Sequence, residues 1–221
     1  MNFSAEIALL AIQRLRMVES QLRERGITDE RVLAAMGRVP RHEFTPEKFR
    51  SQAYADHPLP IGEGQTISQP YIVALMLEAL ALKPVDKVLE VGTGSGYVTA
   101  LLAELAAQVV SMERHAALAD EAGVLLGRLG YTNVQVIAGD GTQGFPQSAP
   151  YDAILVSAAT AEVPAALVAQ LAEGGRMIIP VGPSNSQQLQ LIRMQGGHPA
   201  TTSREACRFV PLLGGLGESN Y

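Results

Sequence analysis

Cysteine is nearly missing from this chain. Cys207 is the only one, which excludes an intrachain disulfide and a cysteine metal cluster and makes an intracellular, cytoplasmic setting the expected one. The four histidines, His42, His57, His115 and His198, are scattered without an H-x-x-x-H pair, so no metal site is expected. Positive charge is in short supply. The formal net charge is −5 and the pI about 5.4, which disfavours non-specific binding to nucleic acid or an anionic membrane. Neutral and peptide substrates stay open. No apolar run reaches the ~20 residues of a transmembrane helix. Asn2 to Arg16 is not expected to be a signal peptide, since Glu6 interrupts it and no small-residue cleavage site follows. There is no internal repeat and no low-complexity segment.

What remains is a chain of 221 residues, 47% of them hydrophobic, enough to build the core of one α/β domain with a small extension. Ala5 to Arg25 has the period of an amphipathic helix, with Ser4 as candidate N-cap and Gly26 as its stop. A second helix is expected over Asp29 to Met36, capped by Thr28. From Arg41 to Thr66 the periodicity disappears, and Pro46, Pro58, Pro60, Gly62 and Gly64 punctuate the chain. With Tyr54, Leu59 and Ile61 in it, this segment reads as an ordered loop covering a site. A third helix is expected from Ser68-Gln-Pro-Tyr to about Leu82.

Strand and helix alternate after that. Strands are expected at Lys87–Val91, Gln108–Met112, Val134–Ala138, Ala153–Ser157 and Arg176–Pro180. Helices fall between them near Tyr97–Ala106, Ala116–Leu129 and Val163–Leu171. The segment from Asp140 to Pro150 is a loop. Such alternation means a mostly parallel sheet with helices on both faces. Gln187–Met194 is expected as an antiparallel hairpin partner of the fifth strand, and Arg208–Leu212 as a last strand. The division is then residues 1–82 as N-terminal helices and covering loop, packed on the main domain, residues 83–213 as the α/β core, and residues 214–221 as a loose tail.

The densest signal is Lys87-Val-Leu-Glu-Val-Gly-Thr-Gly-Ser-Gly-Tyr97: a buried strand, a glycine turn and a helix. Backbone N–H groups and a helix N-terminus there face a ligand. The glycines are spaced G-x-G-x-G. The dinucleotide fingerprint G-x-G-x-x-G would need its third glycine at Tyr97, and a phosphate loop would need a Lys after the glycines. A nicotinamide dehydrogenase is therefore disfavoured. S-adenosylmethionine, with its amino-acid tail, suits a close backbone approach without a pyrophosphate; a plain tight turn is the alternative.

Two more features fall beyond strand carboxyl ends, where ligands of open α/β sheets lie. Glu113 follows the second strand, and a carboxylate there accepts from ribose hydroxyls; the alternative is a solvated charge paired with Arg114. Gly139-Asp140-Gly141 follows the third strand. Asp140 between two glycines is placed to reach an adenine amine, or it is a simple Asp-Gly turn.

Together these features resemble the class I S-adenosylmethionine-dependent methyltransferases, a Rossmann-like doubly wound fold, here with an N-terminal helical extension. One family is closer still. Tyr54-Ala-Asp-His-Pro-Leu-Pro-Ile-Gly-Glu-Gly-Gln-Thr-Ile-Ser-Gln-Pro-Tyr-Ile-Val73 looks like the signature of protein-L-isoaspartate O-methyltransferase. So do Val88–Ala100, Gly139–Gly141, Ala149–Val156, Gly174–Arg176, Ile179–Gly182 and Arg208–Leu212. The resemblance spans about Arg16 to Leu213, and its Gly-Gln-Thr-Ile-Ser-Gln-Pro block is highly specific. Ser157-Ala-Ala-Thr160 stands for a Thr-Ala-Ala-type run, and Cys207 for a polar or basic residue; neither is expected to touch a functional position.

The resemblance implies a repair enzyme that methylates the α-carboxylate of isoaspartyl residues in aged proteins and peptides; a monomer is expected, although the sequence does not fix the oligomeric state. It implies that Gly92, Thr93, Gly94, Ser95, Gly96, Glu113, Asp140 and Gly141 bind S-adenosylmethionine. It makes Ser68 the active-site residue, a hydroxyl that orients the substrate carboxylate. Ser68 also precedes Gln69-Pro70 and an apolar helix, which is how an N-cap looks. Gln65, Thr66 and Ile67 are candidate substrate-binding residues, with a structural loop role as the alternative. Asp56 and His57 either bind peptide or merely solvate the covering loop, solvation being the expected role, and Glu78 and Glu104 read as surface charges. Rival readings are a methyltransferase for another carboxylate or nucleic acid, and a catalytically silent methyltransferase-like binding protein. The absence of an evident general base fits the chemistry, because a carboxylate with a pKa of about 3.5 to 4 is already ionised at neutral pH.

Overall fold

A computed structural model of the protein describes residues 3–214. The chain begins with α1 (Phe3–Arg16) and α2 (Glu30–Arg38), followed by the hairpin β1 (Leu59–Gly62) and β2 (Gln65–Ile67) and by α3 (Pro70–Leu80). Strand and helix then alternate as β3 (Lys87–Val91), α4 (Tyr97–Leu105), β4 (Gln108–Glu113), α5 (Ala116–Arg128), β5 (Val134–Ala138), β6 (Tyr151–Val156), α6 (Ala165–Val168) and β7 (Leu171–Val181). A second hairpin, β8 (Gln187–Gln195) and β9 (His198–Cys207), follows.

The main sheet has seven strands in the order β5-β4-β3-β6-β7-β8-β9. Strands β5 to β7 pair in parallel, and β8 and β9 add on antiparallel. This is the doubly wound α/β architecture expected from the alternation. Successive strand residues point to opposite faces, and the core divides accordingly. Val88, Val109, Ala153, Leu155 and Ile178 join the larger cluster with residues of α1 to α5. Leu89, Val91, Val110, Met112, Ile154 and Ile179 join a smaller one with Leu167 of α6.

Several boundaries differ from expectation, each for a local reason. The first helix turns into a π-turn over Met17–Leu22 and a 3-10 turn over Arg23–Arg25 before Gly26 (φ 97°) stops it. The wider turn brings Met17, Val18 and Leu22 into the core. The cap expected at Ser4 lies outside the described side chains. Asp29, not Thr28, caps α2: its carboxylate accepts from Arg31 N (2.8 Å) and Val32 N (3.4 Å). Glu78 is no idle surface charge. Its Oε1 accepts from the backbone amides of Thr28 (2.7 Å) and Asp29 (2.8 Å), tying α3 to the start of α2. Glu104 likewise accepts from Arg38 (2.9 Å) and from the Tyr131 hydroxyl (3.4 Å).

The helix expected over Val163–Leu171 shrinks to α6, because Leu171 is already paired with Tyr151 at the start of an extended β7. The last strand lies at His198–Cys207 and not at Arg208–Leu212. Thr201 to Ala206 are all exposed and polar or small, so no alternation marks them; the β8 ladder alone makes them a strand. Residues 208–212 instead cross the sheet end. Ala159 N donates to Val210 O (2.8 Å), Leu212 N donates to Ala159 O (2.7 Å), and Pro211 lies between. The loose tail expected over 214–221 lies, from residue 215 on, outside the described residues.

Candidate active site

The strand order reverses between β3 and β6, so a crevice opens beyond their carboxyl ends. Gly92 leaves β3 at that point. Its N–H donates to Met112 O (2.8 Å), and Ser157 N donates to Val91 O (2.8 Å), which pins the turn between β4 and β6. Gly92, Gly94 and Gly96 all have positive φ, at 96°, 52° and 87°. At Gly92 a Cβ would lie 3.3 Å from the Ser157 Cβ, so the two strand ends approach because no side chain intervenes. Gly96 does different work. It is the N-cap of α4, and a Cβ there would lie 3.3 Å from the Ala122 Cβ of α5.

Glu113 sits at the end of β4 with 6% of its surface exposed. Its Oε2 accepts from Gly94 N (2.9 Å) and its Oε1 from His115 N (3.0 Å). It is therefore a buried carboxylate aimed at the glycine turn, not a solvated partner of Arg114. Beneath the turn lies a second carboxyl, Glu90, fully buried. Its Oε2 accepts from Thr99 Oγ1 (2.5 Å) and Ser111 Oγ (2.6 Å), and Ser111 Oγ meets Thr93 Oγ1 at 2.5 Å. Burial pushes the Glu90 carboxyl up to about 8, against the pull of those hydroxyls.

The cleft beyond the turn encloses about 790 Å³, part of it open to solvent. Gln65, Thr66, Ile67, Ser68, Gly92, Thr93, Gly94, Ser95, Glu113 and Gly141 all line it. Two of the expected residues stand behind this lining. Gly96 packs against α5, and Asp140 caps the 3-10 turn Gly141–Gln143, its Oδ1 accepting from Thr142 N (2.9 Å) and Oγ1 (2.7 Å). Gly214 passes over that turn, so close that a Cβ on it would come within 3.0 Å of Asp140 Oδ1. Sequence reasoning missed the roof. Val210 to Leu213 line the cleft, and a segment expected as a strand carried no signal for that.

A second cleft of about 1630 Å³, also open to solvent, adjoins the first. Thr66, Ser68, Ser157, Val210 and Pro211 line both, so these five residues mark the junction. Cys207, Arg208 and Phe209 line the second. Ser157 and Cys207, the two departures noted in the sequence, both line these clefts, although neither is one of the expected site residues. Burial raises the Cys207 thiol to about 11, so at neutral pH it is a protonated, weakly nucleophilic wall.

Ser68 is not the helix cap. Gln69 holds that position in α3 without a side-chain cap bond of its own. Asp56 is not merely solvating. Its carboxylate accepts from Gln69 Nε2 (2.9 Å), pairs with Arg25 and reaches Tyr71 N (3.4 Å), which locks the covering segment to α3. His57 stays exposed. The covering segment itself is ordered, as expected, with 3-10 turns at Arg41–Phe44 and Glu47–Gln52 and then the β1–β2 hairpin. Ile61 of β1 packs over Gly94, its Cδ1 lying 3.2 Å from where a Cβ would be.

The family model described as "Protein-L-isoaspartate(D-aspartate) O-methyltransferase (PCMT)" matches residues 13–217 of this sequence. The chain belongs to this family. A protein-L-isoaspartate O-methyltransferase of Koribacter versatilis (strain Ellin345) is 57% identical over 219 residues, 99% of each chain. A solved structure named protein-L-isoaspartate O-methyltransferase superposes with a TM-score of 0.84 at 32% identity, over 92% of this chain and 67% of that one. A Plasmodium falciparum structure, named provisionally as a protein-L-isoaspartate O-methyltransferase and solved with S-adenosyl-L-homocysteine, gives 0.79 at 30% identity, over 90% and 98%. The architecture shared with these family structures is the one described above.

Proposed function

We propose that this protein repairs aged proteins by methylating the α-carboxylate of L-isoaspartyl residues, with S-adenosylmethionine as methyl donor. The observation that carries this reading is the junction of two clefts at Thr66, Ser68 and Ser157. One cleft suits the cofactor and the other a peptide, and transfer needs the two to meet at one point.

The residues present suit the cofactor. The turn at Gly92 and Gly94 admits close backbone approach, and Glu113 offers a buried carboxylate to ribose hydroxyls. Val91, Met112, Val98 and Leu212 supply apolar wall. Asp140 stands just behind, and Gly141, Thr93 and Ser95 complete the lining. When bound, S-adenosylmethionine supplies an electrophilic methyl group on a sulfonium and departs as a neutral thioether.

The protein's own task is alignment and exclusion of water. Thr66 of β2, which lines both clefts, holds the peptide main chain at their junction, with Gln65 and Ile67 beside it on the cofactor side. The Ser68 hydroxyl donates to one oxygen of the α-carboxylate and leaves the other free to attack the methyl carbon. No side chain takes a proton, since the nucleophile enters ionised and the ester leaves neutral. The ester closes to a succinimide more readily than the acid, and hydrolysis restores part of the normal aspartate. With one cysteine and a net charge of −5, the setting proposed is cytoplasmic, without nucleic-acid partners, and the protein a monomer. Among the described residues no helix is long and apolar enough to cross a membrane.

The test is methyl transfer to a synthetic isoaspartyl peptide beside its aspartyl isomer. Label should enter the isoaspartyl peptide and leave as methanol in base. Base-stable label, or equal labelling of both isomers, refutes the assignment.

A further inference from the structure

Behind the junction lies a cation that no mechanism above uses. Arg41 is 0% exposed. Its Nε donates to Ala53 O (2.7 Å) and its Nη2 to Ser68 O (2.8 Å). Its guanidinium lies 4.8 Å from the centroid of the Tyr97 ring, and Tyr97 and Ser68 both line the cofactor cleft. Nη1 is buried without a partner at normal hydrogen-bond geometry; the Tyr97 phenol supports the guanidinium but supplies no counter-charge while it is neutral. Among the described residues Arg41 forms no ion pair; Asp56, whose charge reaches it, is already engaged by Arg25 and Gln69. Burial draws the guanidinium down to about 10, so it keeps its charge at neutral pH.

A buried charge without a counter-charge is costly, and an anion held at Ser68 would supply the missing one. We propose that Arg41 is the fixed positive charge that draws the substrate carboxylate to Ser68 while fixing the Ser68 main chain. It is a positioning residue, acting through Ser68 and through space. The proposal rests on the isoaspartyl reading above. It has a consequence for turnover. The carboxylate is fully charged before transfer and neutral in the ester, so Arg41 favours substrate over product and assists product release. Because the charge fades towards the transition state, Arg41 governs KM more than kcat.

The experiment compares a fluorescent isoaspartyl peptide with its methyl ester, each titrated into the protein saturated with S-adenosylhomocysteine. Wild type, Arg41→Met and Arg41→Lys are measured, with thermal melts and S-adenosylhomocysteine titrations alongside. Wild type should bind the acid about tenfold or more tighter than the ester. Arg41→Met should lose most of that ratio, raise KM about tenfold, and change kcat less than roughly threefold. Arg41→Lys keeps the charge and loses part of the fork, so its melt should drop while the acid-to-ester ratio largely survives. Equal weakening of acid and ester in Arg41→Met makes Arg41 purely structural and overturns the proposal. Where Arg41→Met does not fold, the ratio in Arg41→Lys decides, and its collapse overturns the proposal. A wild-type protein inactive on isoaspartyl peptide overturns the functional reading and this inference together. Failure in the variants alone overturns only the inference.

Discussion

The carboxylate of Glu113 accepts a hydrogen bond from the Gly94 amide at 2.9 Å, so the end of β4 and the turn after β3 are coupled through one side chain. Glu113 also accepts from His115 N at 3.0 Å. It therefore shapes the turn as well as presenting an acceptor to a ligand. Glu113→Ala is expected to weaken S-adenosylhomocysteine binding by about 1–3 kcal/mol, the usual loss for hydrogen bonds to a charged group. Calorimetric titration measures it, and an unchanged affinity removes Glu113 from the ligand shell.

Ser68 is freed from the capping role by Gln69. Ser68→Ala should consequently change stability by less than about 0.5 kcal/mol, not the ~1 kcal/mol of a lost cap. Its turnover on isoaspartyl peptide should fall. Ser68→Asp should fold, bind S-adenosylhomocysteine and be nearly inactive, since a second carboxylate repels the substrate in a partly desolvated cleft. Near-normal turnover of Ser68→Asp would show that the hydroxyl has no part in orienting the substrate.

Gly92 and Gly26 separate strain from function. Both have φ near 97°, at 96° and 97°, but nothing lies within 4 Å of a Cβ at Gly26, whereas Ser157 stands 3.3 Å away at Gly92. Each Gly→Ala change should cost about 1–2 kcal/mol for the left-handed backbone. Only Gly92→Ala should also weaken cofactor binding. Urea melts and ligand titrations on both variants check this, and equal ligand affinity in the two would contradict the close-approach role of Gly92.

Glu90 makes stability depend on pH. Its carboxyl is raised from 4.5 to about 8 in the folded protein, chiefly by burial. Between those values the folded state holds a proton that the unfolded state has lost. Its contribution is thus fully present below pH 4.5, drains away as pH rises towards about 8, and is then gone. Glu90→Gln removes the titration while keeping an acceptor for Thr99 and Ser111. Wild type minus variant should decline by a few kcal/mol across that window. Unfolding free energies at several pH values test it, and parallel curves would mean that Glu90 is ionised in the fold.

Much of the architecture was legible because its causes are short-range. Residues 87–113 alternate apolar runs with helical period and glycine turns, so β3, α4 and β4 appear within one residue of expectation. Where chemistry is local but ambiguous, the reading slipped by a residue: Thr28 and Asp29 are both good caps, and Glu78, far along the chain, claims the Thr28 amide. β9 could not be read at all, since exposed polar residues become a strand only when β8 offers its edge.

The sequence by itself determined the layered α/β fold, the glycine turn and the residues Gln65 to Ser68, Gly92 to Ser95 and Glu113 that converge on one cleft. Hydrophobic period and turn geometry act between near neighbours and need no knowledge of the rest. Only the tertiary structure decided that residues 210–213 roof that cleft, that two clefts join at Ser157, and that Arg41 is buried behind Ser68. Each of these depends on segments brought together from distant parts of the chain, where burial and charge are set by the partner and not by the neighbouring residues.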